Sequence, residues 1–374
     1  MRLLLAISLL SALSTTAYAS KARLTALGQD TNGSLYIQDN RNIFLNPARI
    51  NKLKNHLNFE MGSTTAGTTP NAEGGVVTDF KSSKLGVQFG RLGHAGENIA
   101  VANNLVAGNN LIVPQNTFEI IYGTNSGGRD LGFSLLYGNS KSDTGKAANL
   151  PDNTASEITL RAGTTLTSGL EIFGYFDVQQ KSKHENTTPA TSFEYTGSGA
   201  NLGLGATKRV MNDRFIASGF VTLKQGDIET NSTKTTVDTK TVQVQLTEEI
   251  KKTDKVLLFA TAGVKYETGK VDFTGPTDFD LSTFSLPFVI GVEAKATSWM
   301  DLRASVAQTV LLDNQKTYNG TNEITTENKN STVVAAGLSL KWEDFTLDGV
   351  LTGSTTGVIN STSLISQASL TYSF

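Results

Sequence analysis

From Gln367 to the last residue the sequence alternates strictly, with Ala368, Leu370, Tyr372 and Phe374 on one face and Gln367, Ser369, Thr371 and Ser373 on the other. A period of two carried to the end is a strand. An apolar face opposite a small, polar one is what a wall between lipid and a wet lumen requires. The pattern returns in Leu131/Phe133/Leu135/Tyr137, Leu170/Ile172/Phe176, Phe215/Ala217/Val221/Leu223, Val256/Leu258/Ala260/Ala262/Val264, Leu286/Phe288/Ile290/Val292 and Val334/Ala336/Leu338/Leu340/Trp342. Each run is about the nine to eleven residues that a tilted strand needs to cross a bilayer. No apolar stretch after Ser20 is long enough for a membrane-spanning helix, which excludes a helical membrane protein. Composition agrees, since 35 Gly, 7 Pro and many Asn, Thr and Ser suit strands joined by polar turns.

Connection length is a second signal. Short links fall at Lys81-Ser82-Ser83, Asn125 to Arg129, Thr167-Ser168-Gly169, Lys251 to Asp254 and Trp342-Glu343-Asp344, and long polar ones at 92–116, 139–155, 179–199, 225–239, 267–282 and 312–330. The expected fold is therefore all-β, a transmembrane antiparallel up-and-down β-barrel with short periplasmic turns and long extracellular loops. Strands are expected near 53–62, 74–80, 84–91, 117–124, 130–138, 156–165, 169–178, 200–208, 214–224, 240–250, 255–266, 284–296, 301–311, 332–342, 345–352 and 364–374, about 16 in all by that pattern. If 53–62 and 74–80 belong to an internal plug, the count becomes about 14, which is still even. Either barrel is too wide for wall side chains to fill.

At the N-terminus, Arg2, the apolar run Leu3 to Leu13 and Ala17-Tyr18-Ala19 read as an export signal over 1–19, so the mature chain is expected to begin near Ser20. The final strand resembles that of Gram-negative outer-membrane barrels. That likeness implies a place in the cell outer membrane, among outer-membrane lipid, with Leu370, Tyr372 and Phe374 as the signal read by the barrel-assembly machinery. Residues 20–52 lack sustained period two. Here Arg23-Leu24-Thr25-Ala26-Leu27-Gly28, followed by Asn46-Pro47-Ala48, resembles the opening of the FadL-like outer-membrane transporters, and the likeness implies that 20–52 forms a plug inside a barrel of residues 53–374. Asn-Pro also starts turns for local reasons, which leaves a periplasmic turn before the first strand as the other reading.

Chemistry is sparse. There is no Cys, which rules out disulfides and thiol catalysis, and His56, His94 and His184 have no partner at metal-ligand spacing. No nucleophile elbow or phosphate loop is present. The Gly203-Leu204-Gly205 run inside an alternating strand reads as a thin or tightly packed stretch. The chain is not expected to be an enzyme or to need a cofactor, and its formal charge of -2 gives no sign of nucleic-acid binding. If the apolar member of each alternating pair faces lipid, Glu157, Arg161, Glu171, Asp177, Lys224, Glu249, Lys265, Glu293, Lys295, Arg303, Lys341 and Asp348 line the lumen. A mixed-sign wall predicts weak ion selectivity, unless these charges pair between strands, as Glu293 and Arg303 could. Phe44, Phe173, Tyr175 and Phe259 are placed against the lumen or the plug, and Trp299 and Trp342 beside periplasmic turns.

The loops are short and polar where FadL-like transporters carry large apolar insertions. The functional expectation is thus a porin-like channel for passive diffusion of small hydrophilic solutes. A FadL-like transporter of hydrophobic compounds and a plugged structural or secretion-partner barrel are the alternatives. As in trimeric porins, a homotrimer is open as a partner state, and residues 92–116 are long enough to fold into the bore.

Overall fold

A computed structural model describes residues 20–61, 72–96, 98–99, 103, 111–143, 152–185, 192–197, 201–230, 233–273, 279–312, 315–318, 323–326, 332–353 and 367–374. The expected export signal, 1–19, lies outside the described residues. After a short helix, α1 (Lys21–Ala26), and two 3-10 turns, Asn40–Phe44 and Pro47–Lys52, the chain is strand. The first strands are β1 (His56–Met61), β2 (Ala72–Phe80), β3 (Ser83–Phe89), β4 (Asn116–Ser126), β5 (Arg129–Asp143), β6 (Asp152–Thr165) and β7 (Glu171–Glu185). There follow β8 (Phe193–Gly197), β9 (Leu202–Val210), β10 (Phe215–Thr230), β11 (Lys234–Lys252), β12 (Val256–Phe273), β13 (Phe279–Lys295) and β14 (Met300–Leu311). A separate hairpin, β15 (Gln315–Tyr318) and β16 (Glu323–Thr326), precedes β17 (Val333–Trp342), β18 (Phe345–Gly353) and β19 (Gln367–Ser373).

Every wall pairing is antiparallel and the sheet closes, because β1 pairs with both β2 and β19. In the 17-stranded sheet β8 and β9 share the same two neighbours, β7 and β10, and so occupy one wall position, making a closed barrel of 16. The two least regular expected strands, 53–62 and 74–80, are barrel strands β1 and β2. The alternative of about 14 falls away.

One correction concerns the connections. Much of what reads as long loop at 179–199, 225–239 and 267–282 is strand, and 312–330 contains the β15–β16 hairpin. At 19 residues β11 is about 60 Å long at about 3.3 Å per residue, and even tilted it stands well above an apolar band roughly 25 Å tall. Outside the bilayer the outer face meets water instead of lipid, so Lys234 to Thr241 lose the contrast that marks a half-buried strand.

The other rim carries the tight turns and both ends of the barrel sequence, and is the periplasmic one. Between Ser126 and Arg129 the two-residue turn Gly127-Gly128 has φ of 59° and 76°, the left-handed pair that matches strand twist. The outer face is a belt of exposed Phe59, Phe133, Phe176, Leu204, Val244, Ile290 and Leu338 among others. Trp299 and Trp342 lie exposed at the turn rim, and Trp342, Phe345, Tyr372 and Phe374 form a run of ring contacts there. In β19 Ser369, Thr371 and Ser373 are buried, and Leu370 and Tyr372 belong to the opposite face.

Gly123, Gly132 and Gly163 stand opposite one another in register on β4, β5 and β6. A Cβ at Gly132 would collide with the Pro47–Ala48 backbone, one at Gly163 with Asn46 Oδ1, and one at Gly123 with the Ile50 side chain. The row of missing side chains is therefore the seat of the Asn46-Pro47-Ala48 turn. Replacing Gly132 with Val should unseat this turn while the barrel still assembles. The check is trypsin cleavage at Arg41, buried in the parent, which should run at least about tenfold faster for a loss of about 1.4 kcal/mol of docking energy.

Candidate functional site

Residues 20–52 fill the barrel and cross its bore. Ser20 caps α1 by accepting from the Arg23 N–H, and its hydroxyl donates to Asp348 Oδ2 at 2.9 Å. Ala22 and Ala26 pack with Ala335 and Val350 of β17 and β18. The chain then lays Leu27, Tyr36 and Ile37 against Ile216 and Phe259, whose ring lies 5.5 Å from that of Tyr36. Asp39 caps the turn Asn40–Phe44, and Asn46 caps Pro47–Lys52 by accepting from the Ala48 N–H. That last turn rests on β3, β4, β5 and β6, across the barrel from the strands that hold α1.

Ion pairs hold this segment in addition to apolar contact. Arg23 meets Glu293 through two nitrogens, at 2.7 and 3.1 Å, and Asp39 at 2.9 Å. Arg303 donates to the same Glu293 at 2.6 Å and to Asp348 at 2.6 Å. A continuous chain of charge thus runs from the segment through the wall and back to Ser20. The cross-strand pair expected between Glu293 and Arg303 is one link in it. Arg41 binds Glu73 at 2.9 Å and lies 3.7 Å from Glu60, Lys21 binds Glu73 at 2.5 Å, and Glu171 accepts from Arg49 at 2.7 Å and Asn46 at 2.9 Å. Burial raises the Asp39 carboxyl above its ordinary value even with Arg23 beside it.

The described residues of the connection after β3, 91–96, 98–99, 103 and 111–115, lie against the inner wall from the opposite rim, as the length of 92–116 allowed. Ala95, Ile99, Leu111 and Val113 are buried against Tyr195, Ile228 and Val271 of the inner wall. Glu157 accepts from the backbone N–H groups of Gly93 at 3.2 Å and Ala95 at 3.3 Å. His94 stacks on Tyr175 with ring centroids 3.8 Å apart and lies 3.1 Å from Asp177. Burial holds the His94 imidazole below its ordinary value, which favours a neutral ring beside Asp177. Arg91 donates to Glu119 at 2.8 Å, and Arg161 donates to the same carboxylate at 2.7 Å.

Of the charges expected along the lumen, Glu157 and Asp177 hold the loop, Glu171, Glu293 and Asp348 hold the N-terminal segment, Arg303 buttresses Glu293 and Asp348, and Arg161 pairs with Glu119, the carboxylate that holds Arg91. Glu249 pairs with Arg209 and Lys252, Lys265 with Glu267, and Lys341 with Asp301. Lys224 lines a small pocket with Asn98 and Tyr195. Lys295 stands at the periplasmic mouth, where a cavity of about 450 Å³ lies under Ile37–Asn40. Sequence reasoning missed Glu60, Glu73 and Glu119, although Glu119 between Phe118 and Ile120 carried the alternation that marks an inward residue. It also missed Arg23, Arg41 and Asp39 as anchors, because the segment that bears them has no period. Phe173 packs against Gly205, Tyr175 against Gly203, and Phe220 stacks with Phe173. The Gly203-Leu204-Gly205 run is therefore tightly packed inside, with Leu204 exposed on the lipid side.

These features define a plugged transmembrane β-barrel of the outer membrane. No family model and no curated protein matches the chain. Among solved structures it is similar to CdiB from Acinetobacter baumannii (13% identity, TM-score 0.45, 86% of this chain and 60% of that one). It is also similar to the Ralstonia pickettii toluene transporter TbuX (12%, TM-score 0.40, 96% and 99%) and to a Pseudomonas aeruginosa FadL homologue (11%, TM-score 0.43, 95% and 98%).

Breaking one partner of a buried ion pair costs about 3–5 kcal/mol, because the other is left uncompensated. Arg23→Ala, which takes the guanidinium from Asp39 and leaves Glu293 with Arg303 alone, should lower the urea concentration at which trypsin reaches the segment while the far-ultraviolet spectrum of the barrel stays unchanged.

Proposed function

We propose that the chain is a gated outer-membrane transporter of small hydrophobic compounds, with residues 20–52 and the inward loop as its two closures. The observation that carries this is the filling of the lumen by the chain's own segments, through surfaces that are largely apolar. Around the loop these are Ala95, Ile99, Leu111, Val113, Tyr195, Ile228 and Val271. Around the segment they are Leu27, Tyr36, Ile37, Ile216 and Phe259. An open diffusion pore keeps a wet wall whose charges meet the solute. Here most wall charges are spent on holding the closures, and the aromatic side chains Phe173, Tyr175 and Phe220 sit together on the inner side. A compound that replaces apolar contacts between closure and wall loses nothing by desolvation, whereas a sugar would leave its hydroxyls unpaired there. Catalysis is no part of the proposal.

Uptake by intact cells of a porin-deficient Gram-negative host separates the readings. Expression of the chain should raise the entry of toluene several-fold over the empty vector and leave that of a neutral disaccharide unchanged. Faster entry of the disaccharide would overturn the proposal in favour of a porin, and no change for either would point to a structural or secretion-partner barrel.

A further inference from the structure

The two closures enter from opposite rims, and they meet at one aromatic ring. Phe44, in the turn Asn40–Phe44, has the Arg41 guanidinium 4.9 Å and the Arg91 guanidinium 4.6 Å from its ring centroid. Arg41 belongs to the N-terminal segment, and Arg91 is the first residue of the inward connection after Gly90. Arg91 also reaches Asn32 of the segment at 3.4 Å. All three side chains of this sandwich are within buried residues. Other bonds of the described loop residues go to the wall: Glu157 takes the Gly93 and Ala95 N–H groups, Asp177 takes His94, and Gln180 accepts from Asn98 at 2.7 Å. Through Arg91 the loop touches the segment as well.

Each guanidinium is pinned at its far side by a wall carboxylate, Arg41 by Glu73 and Arg91 by Glu119. Each leaves its Nη2 buried with no hydrogen-bond acceptor among the described residues. A desolvated cation in that position gains from an aromatic face, which carries negative potential at its centre. The ring in turn is covered by charge from both closures. Withdrawing Arg91 with the loop removes half of that cover, and withdrawing Phe44 with the segment strips both cations of their aromatic partner.

We propose that the Arg41–Phe44–Arg91 sandwich couples the two closures, so that release of the loop at the cell-surface rim loosens the N-terminal segment, and release of the segment loosens the loop. The proposal does not rest on which solute crosses the barrel. Coupling between two sites is a shared free energy, so each must affect the other by the same factor.

The absence of Cys makes single-cysteine reporters clean. Ile43→Cys reports on the segment and Ile99→Cys on the loop, both at buried positions. The full-length protein is labelled in micelles with a water-soluble maleimide, and assembly of each variant is checked by heat-modifiable migration. Arg91→Ala should speed labelling at Ile43→Cys, and Arg41→Ala should speed it at Ile99→Cys, each by about fivefold or more. Phe44→Leu, which keeps bulk but removes the ring, should speed both. If each variant moves only the reporter on its own closure, the proposal is overturned. Should the arginine variants fail to assemble, Phe44→Leu decides alone: faster labelling at Ile99→Cys supports coupling, and an unchanged rate refutes it.

Discussion

A wall of 16 strands encloses more space than its own inward side chains can occupy, and what the chain does with that space governs the rest of the molecule. Here residues 20–52 and the described residues of the connection after β3 occupy it. That choice dictates the character of the inner wall. Glycines at 123, 132 and 163 make room for a turn, carboxylates at 60, 73, 119, 157, 171, 293 and 348 meet its cations and N–H groups, and apolar side chains gather where the closures press.

Strong charge pairing in a lumen serves adhesion at low cost to folding. On the lipid face a basic residue at mid-bilayer would cost roughly 2–4 kcal/mol. Inside, the same residue faces a carboxylate on a neighbouring strand or on the plug. Arg303 illustrates the economy, since one guanidinium serves Glu293, which holds Arg23, and Asp348, which holds Ser20. Such pairs need not stabilise the molecule more than apolar contacts would, but they fix one register of segment against wall.

How far the sequence disclosed this follows from the physics of each region. Within the bilayer one face of every strand meets lipid and the other a polar interior, so period two is sharp, and β5, β12, β14 and β17 are plain from side-chain types. β1 and β2 are less so, because Glu60 answers to the segment inside and the pair Gly74-Gly75 offers no side chain to either face. Above the bilayer the outer face meets water instead of lipid, and the upward reach of β7, β10, β11 and β12 is hidden in what looks like loop. The charges at Glu157, Glu171, Asp177, Glu293, Arg303 and Asp348 could be named from alternation alone. Their partners could not, since Arg23 and Arg41 lie in a stretch without periodicity, Arg91 ends the expected strand 84–91 with nothing in the alternation to mark its partner, and His94 meets Asp177 across 83 positions of sequence. The Asn46-Pro47-Ala48 resemblance was the one sign of where the turn would sit.

Single-channel recording in a planar bilayer tests the central claim, that the chain closes its own lumen. The intact mature protein is predicted to give no steady open steps, and deletion of residues 20–48 to produce them. Stable open steps from the intact protein, of the same size as those of the deleted form, would contradict the account.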